Sequence, residues 1–194
     1  RKRSRGAIIT TFFEATFKAW ENVKKTGRES GYVGYSPIIV VDTEKILTDL
    51  PEGRVIHVVR NPWSGYSDTI KRPFPLSLER YALSWAMLQH LALIYQKRFE
   101  DRFMIVRFED LIEDTEKTMQ NVAEFLSIDF HKNLLFPSWN SKKMEEVYPW
   151  GTVRTPSKEV NLATMNELSD FQKSEISSYC ATMLDKLGYK SFLD

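Results

Sequence analysis

Apolar residues fall along this chain in two rhythms. Between residues 7 and 25, Ile9, Phe12, Phe13, Phe17 and Trp20 recur at i, i+3, i+4 spacing, which predicts an amphipathic helix. Ile38-Ile-Val-Val41 and Val55-Ile-His-Val-Val59 are instead short continuous β-branched runs. Runs of that length, with helical segments between them, predict buried parallel strands. Ser77 is placed to cap a long helix with the stripe Leu78, Tyr81, Ala82, Trp85, Leu88, Ala92 and Tyr95. Phe103-Met-Ile-Val106 predicts the next strand, and Asp114 precedes a helix carrying Met119, Val122, Ala123 and Leu126 on one face. Ser169-Asp-Phe-Gln172 is a capping box. It opens a helix buried through Ile176, Tyr179, Cys180, Met183, Leu184 and Leu187, which Gly188 stops. The alternation predicts an α/β fold: a central, mostly parallel sheet flanked by helices, with ligands beyond the carboxyl ends of the strands.

No repeat or low-complexity linker interrupts the 194 residues, so one domain, 1–194, is expected. The segment from Phe136 to Val160 differs from the rest. Its Pro137, Pro149, Pro156, Gly151, Trp139, Tyr148 and Trp150 predict an extended functional loop. Composition narrows the partners. Lys plus Arg number 27 against 26 acidic residues, a balance unlike that of a protein gripping nucleic acid by bulk charge. A local basic pocket needs only a few cations and stays open. No apolar stretch is long enough to span a membrane. The single cysteine, Cys180, excludes an internal disulfide and a cysteine metal cluster, so a reducing, cytoplasmic compartment is expected. No His/Cys/Asp spacing suggests a metal. The first residues, Arg-Lys-Arg-Ser-Arg, carry no methionine, and a truncated beginning is expected.

The sharpest chemistry lies in Val55-Ile-His-Val-Val-Arg-Asn-Pro-Trp-Ser-Gly-Tyr-Ser-Asp-Thr69. A buried strand runs into Arg60, then a turn, then hydroxyl residues opening a helix. Arginine at a strand's carboxyl end overhangs the ligand crevice, and its planar fork suits phosphate. Serines and backbone N–H groups at the next helix start extend an anion site. The plainer alternative is an arginine paired with a helix-end carboxylate and a serine acting as a cap.

This unit resembles the 3′-phosphate site of sulfotransferases that use 3′-phosphoadenosine 5′-phosphosulfate (PAPS). Three further segments are similar to that family in the same order: Ile105-Val-Arg-Phe-Glu-Asp-Leu111, Phe136-Pro-Ser-Trp-Asn-Ser-Lys-Lys-Met144 and Trp150-Gly-Thr-Val-Arg-Thr155. The likeness spans about residues 32–189 and implies a P-loop NTPase-like sulfotransferase fold without its N-terminal part. It implies Arg60 and Ser67 at the 3′-phosphate, with Ser64 competing for the serine role. It also implies Phe108 and Trp139 beside the adenine, and Thr152 and Arg154 in a loop returning to the 3′-phosphate. The implied reaction moves a sulfuryl group from PAPS to the hydroxyl or amine of a small molecule or glycan and releases 3′-phosphoadenosine 5′-phosphate (PAP), without a metal.

Two departures stand out. Relatives place the serine one position further along, where this chain has Asp68. The 5′-phosphosulfate loop, a strand followed by Pro-Lys/Arg-Ser/Thr-Gly-Thr, has no match in residues 1–31 and is expected upstream.

Sulfuryl transfer, like phosphoryl transfer, relies on positioning and on cations, and a hydroxyl acceptor needs a base within reach. His57 reads as a core histidine, and His90 and His131 as surface residues. Tyr35 stands where cytosolic relatives carry a histidine. A phenol with a pKa of about 10 is a poor base, so lining the acceptor pocket is its expected part. The base stays unassigned, with Tyr35 the candidate at hand and the base and loop cation expected upstream. Tyr32, Tyr35, Trp63, Tyr66 and Trp150 are aromatics available to an acceptor, and Glu109 and Asp110 are expected to fix the turn after their strand. Two alternatives remain open. A nucleotide-kinase-like enzyme would employ Arg102 and Arg107 as lid arginines. The other is a non-catalytic PAP- or nucleotide-binding domain.

Overall fold

The computed structural model describes residues 4–21, 23–27, 29, 31–36, 39–139, 142–143 and 157–192, without the side chains of Trp139, Lys142 and Ser191. Helix α1 (Arg5–Ala19) starts where the Ser4 hydroxyl accepts the Ala7 N–H at 3.1 Å. Helix α2 (Ile39–Asp49) follows and buries Val40, Thr43 and Leu47 on one face. Strand β1 (Val55–Val59) leads into α3 (Pro62–Ile70) and α4 (Leu78–Arg98). Strand β2 (Phe103–Arg107) returns parallel to β1, with Val55 opposite Phe103 and Val59 opposite Arg107. Short α5 (Phe108–Glu113) and α6 (Thr115–Leu126) come next, with Asp114 accepting the Lys117 N–H as the cap of α6. Ser138–Trp139 (β3) and Lys142–Lys143 (β4) pair antiparallel. Helices α7 (Lys158–Met165) and α8 (Asp170–Lys186) close the order, with the capping box of Ser169 and Gln172 formed in full.

The mixed helix and sheet architecture is the expected one, but the parallel sheet is smaller. Among the described residues it holds β1 and β2. Of the β-branched run expected as a strand, Ile39–Val41 belong to α2, and Ile38 lies outside the described residues. The reason lies just downstream. Val40, Thr43 and Leu47 continue at helical spacing, and Asp42, Glu44 and Lys45 fall on the exposed side. A strand would have turned some of those charges inward, whereas the helix buries one stripe against the sheet.

Two apolar clusters meet across the sheet. Val40, Leu47, Val55, Ala92, Tyr95 and Phe103 form one, joining α2, α4 and both strands. The other packs Val59, Trp63 and Tyr66 against Ala82 and Trp85 of α4 and Ile176, Cys180 and Leu184 of α8. Ile105 touches both. Gly188, at φ +70°, ends α8 in the left-handed region and turns Tyr189 into the second cluster. Trp63 is 1% exposed, stacks on Phe192 and donates to the Lys173 carbonyl at 3.2 Å. Trp63 and Tyr66 are therefore core residues and not acceptor-facing aromatics. A helix opening Pro-Trp-Ser-Gly-Tyr must bury one face, and that face carries both rings.

His57 is half-buried. Its ring stacks on Phe103, and Nε2 lies 2.8 Å from Gln89 Oε1. Burial holds its pKa below the ordinary imidazole value, against the opposing pull of Gln89. The unfolded chain therefore takes up this proton first as pH falls. The stability tied to a neutral His57 is complete above a pH of about 6.5 and is lost below it. His57→Gln keeps a donor for Gln89 but cannot titrate. Denaturant unfolding at pH 7.5 and pH 5 should show a smaller acid-side loss in this variant than in the parent chain. Equal losses in both would contradict the assignment.

Candidate functional site

The carboxyl ends of β1 and β2 are bound together by one buried side chain, Glu109, in the first turn of α5. Its Oε1 accepts the Asn61 backbone N–H at 3.1 Å, Asn61 Nδ2 at 2.8 Å and Asn161 Nδ2 at 3.0 Å. Its Oε2 accepts the Tyr189 hydroxyl at 2.6 Å. Burial, with the Glu109 charge beside it, pushes the Tyr189 phenol well above the ordinary tyrosine range, so it remains a donor. Asn61 in turn caps α3, its Oδ1 accepting the Ser64 N–H at 2.8 Å. The N-terminus of α3 is thus closed by its own cap, and Pro62 contributes no N–H. The cap is an asparagine and not a serine, and Asn61 takes the Ser64 and Gly65 N–H groups. The other half of the plainer alternative, an arginine paired with a carboxylate of the helix, is present as Arg60–Asp68.

Arg60 leaves the end of β1 into this frame. Nε donates to Asn161 Oδ1 at 2.7 Å and Nη1 to Asp68 Oδ2 at 2.7 Å. The guanidinium lies over the Phe108 ring, 5.3 Å from its centroid. Its backbone carbonyl accepts the Trp85 indole N–H at 3.0 Å. Two hydrogen bonds and a ring therefore hold the fork, and the Nη2 edge has no hydrogen-bond partner among the described residues. An arginine fixed at two points with a free edge is prepared to receive an oxyanion with little loss of side-chain entropy.

The neighbouring charges form a chain. Asp68, on α3, meets Arg60 on one oxygen and has the Lys71 ammonium 3.7 Å from the other. Lys71 also pairs with Glu167, whose Oε2 accepts the Ser67 hydroxyl at 2.7 Å. Ser67 is fully buried, and Ser64, also buried, donates to the Asn161 carbonyl at 2.8 Å. Both candidate serines therefore spend their hydroxyl protons within the protein. Gly65 lets α3 and α4 approach here, since a Cβ would fall 2.2 Å from the Tyr81 hydroxyl.

Of the residues singled out in the sequence, Arg60 and Phe108 meet directly, and Ser67 joins them through Glu167, Lys71 and Asp68. Trp139 sits in the β3–β4 hairpin, its side chain outside the description. Thr152, Arg154 and Trp150 lie outside the described residues. Tyr35 is 92% exposed. Tyr32 stacks on Phe13 of α1. Arg102 is bound to the carbonyls of Leu47 and Pro51, and Arg107 lies over the Tyr189 ring and pairs with Asp110 at 3.2 Å. These two arginines serve the fold, as do Glu109 and Asp110. Asn161 and Glu167 escaped notice in the sequence because nothing in α7 or in the turn after it marks them. Their partners are distant in the chain, and neither belongs to a spacing pattern. Among the described residues, no group of three His, Cys, Asp or Glu side chains could hold a metal ion. No helix there is long and apolar enough to cross a membrane.

Removing the Glu109 carboxylate should loosen this end of the sheet. Glu109→Ala leaves buried donors on Asn61 and Asn161 unsatisfied and Tyr189 with only the Val59 carbonyl at 3.4 Å, and each unsatisfied group costs about 1–3 kcal/mol. Urea unfolding should show a loss of about 3 kcal/mol or more, with Asp110→Ala close to the parent. A Glu109→Ala protein as stable as the parent would contradict the network's role.

No curated protein and no solved structure matches the chain. The comparison with protein families does return a match, to the model described as the sulfotransferase family, over residues 5–132. That stretch runs from α1 through both strands and includes Arg60, the Asn61 cap, Asp68, Phe108 and Glu109. Together with the arginine prepared at the end of a parallel strand, the match shows that this chain belongs to the sulfotransferase family.

Proposed function

We propose that this chain carries the 3′-phosphate side of a PAPS site and serves the transfer of a sulfuryl group from PAPS to a hydroxyl or amine, releasing PAP. The observation that carries the reading is Arg60: a guanidinium locked by Asn161, Asp68 and Phe108, with its Nη2 edge free of hydrogen-bond partners among the described residues. It stands at the carboxyl end of β1, where a parallel sheet presents its ligands. Family membership supplies the reaction class.

The parts played by the chain follow from this geometry. Arg60 takes the ribose 3′-phosphate as a two-pronged donor, and its fixed orientation selects a nucleotide bearing that group. Phe108, half-buried against Arg60, is proposed to bring an apolar surface toward the adenine; Trp139 is proposed as its second wall. Glu109, Asn61 and Asn161 act through Arg60 by keeping the strand end and α7 in register. Binding the nucleotide at its 3′ side fixes where the sulfuryl group points, and such positioning is a large part of catalysis in transfers of this kind. The acceptor is a small molecule or glycan. Tyr35, on an exposed stretch between α1 and α2, is proposed to contact it.

Titration calorimetry separates this reading from nucleotide-kinase chemistry and from non-specific nucleotide binding. PAP should bind the parent chain, and ATP with magnesium and adenosine 5′-phosphate should bind more weakly. Arg60→Ala removes a charge-assisted pair of about 1.5–3 kcal/mol, so PAP affinity should fall tenfold or more while adenosine 5′-phosphate barely responds. Equal losses for both nucleotides, or a preference for ATP, would overturn the 3′-phosphate assignment.

A further inference from the structure

Asp68 occupies the Nη1 prong of the Arg60 fork beside the free Nη2 edge, so an anion that takes both prongs must displace it. Its Oδ2 lies 2.7 Å from Arg60 Nη1, and its other oxygen lies 3.7 Å from Lys71 Nζ. Lys71 is shared with Glu167, and Glu167 takes the Ser67 hydroxyl. Two cations and two anions thus alternate along one line beside the Arg60 fork, with no net charge. Asp68 is partly exposed, at 41% of its side chain, and Arg60 at 27%, so the pair can exchange partners without opening the core.

We propose that Asp68 is the built-in counter-anion of this site, holding Arg60 until a phosphate or sulfate group displaces it. The inference rests on Arg60 as the anion ligand of the preceding reading and assigns the residue that tunes it. When an oxyanion arrives, Arg60 passes from Asp68 to the ligand, and the released carboxylate turns fully to Lys71. No bond is made or broken and no proton moves. The Nε bond to Asn161 keeps the guanidinium in plane throughout. Among the described residues Arg60 and Lys71 are both paired, and the negative charge of Asp68 opposes the bound anion, weakening its hold and favouring its release. Lys71 is the relay, since without it the displaced carboxylate would face the ligand unpaired.

The geometry distinguishes this from a purely orienting role. If Asp68 only steered Arg60, an asparagine that keeps an acceptor oxygen would preserve or weaken anion binding. If its charge competes, Asp68→Asn strengthens binding. A partly exposed pair of this kind is worth up to about 1 kcal/mol, which corresponds to about a fivefold change in affinity.

The test uses the 194-residue chain and follows the Arg60 Nε–H resonance by nitrogen-15 NMR. Inorganic phosphate and PAP are titrated separately into the parent, Asp68→Asn and Lys71→Met proteins, with thermal melts to confirm folding. Asp68→Asn should tighten both ligands about fivefold, and Lys71→Met should weaken both. Unchanged or weaker phosphate binding in a folded Asp68→Asn protein overturns the proposal. The reading of the nucleotide fails separately. PAP binding no tighter than adenosine 5′-phosphate to the parent, with phosphate still strengthened by Asp68→Asn, leaves a counter-anion site but no 3′-phosphate site.

Discussion

The buried Glu109 carboxylate holds the end of β1, the start of α3, the side chain of Asn161 on α7 and the hydroxyl of Tyr189 beyond α8 on its two oxygens. These groups come from segments far apart in the chain. The Asn61 and Asn161 groups would be buried donors without a partner if the carboxylate were elsewhere, and Tyr189 would keep only the Val59 carbonyl at 3.4 Å. Burying a charge without such donors would be costlier still. The arrangement is therefore close to all-or-none. Because Asn161 also accepts from Arg60, the same carboxylate sets the place of that arginine through one intermediate. Precision at the site follows from this buried network, as buried polar networks rigidify only when every member is satisfied.

Outside that hub the described charges of the site pair with one another. Arg60, Asp68, Lys71 and Glu167 alternate in sign, so the two cations beside the carboxyl edge of the sheet are each paired with a carboxylate. The near-neutral balance of the whole chain has the same character locally and globally. Such an arrangement suits the proposed recognition of a single phosphate by shape and exchange of partners, rather than attraction of polyanions in general.

Much of the fold was legible in the sequence because most elements carry complete local signals. The stripe from Leu78 to Tyr95 has its Ser77 cap, and the last helix has both its capping box and its terminal glycine. Val55–Val59 running into Arg60 was readable because a buried strand followed by arginine, asparagine and proline leaves few other conformations. Ile38–Val41 misled because four β-branched residues in a row satisfy a strand over that window alone. Only the polar spacing through Leu47 restores the helix. Trp63 and Tyr66 misled in the opposite sense: aromatic residues near a ligand motif look available, yet α3 needs them to bury its inner face. Asn161 and Glu167 were not legible, since Asn161 meets Arg60, and Glu167 meets Ser67 and Lys71, only through tertiary contacts over a long separation in the chain. Ser67 was identified by type and place, and the partner of its hydroxyl, Glu167, could not be read from local spacing.

The central claim is that the Arg60 fork at the end of β1 receives the 3′-phosphate. A crystal structure of the chain with PAP tests it most directly. The expected result places the 3′-phosphate within hydrogen-bonding distance of Arg60 Nη2, with the Nε bond to Asn161 retained. PAP bound elsewhere, with the Arg60 guanidinium still on Asp68, would contradict it.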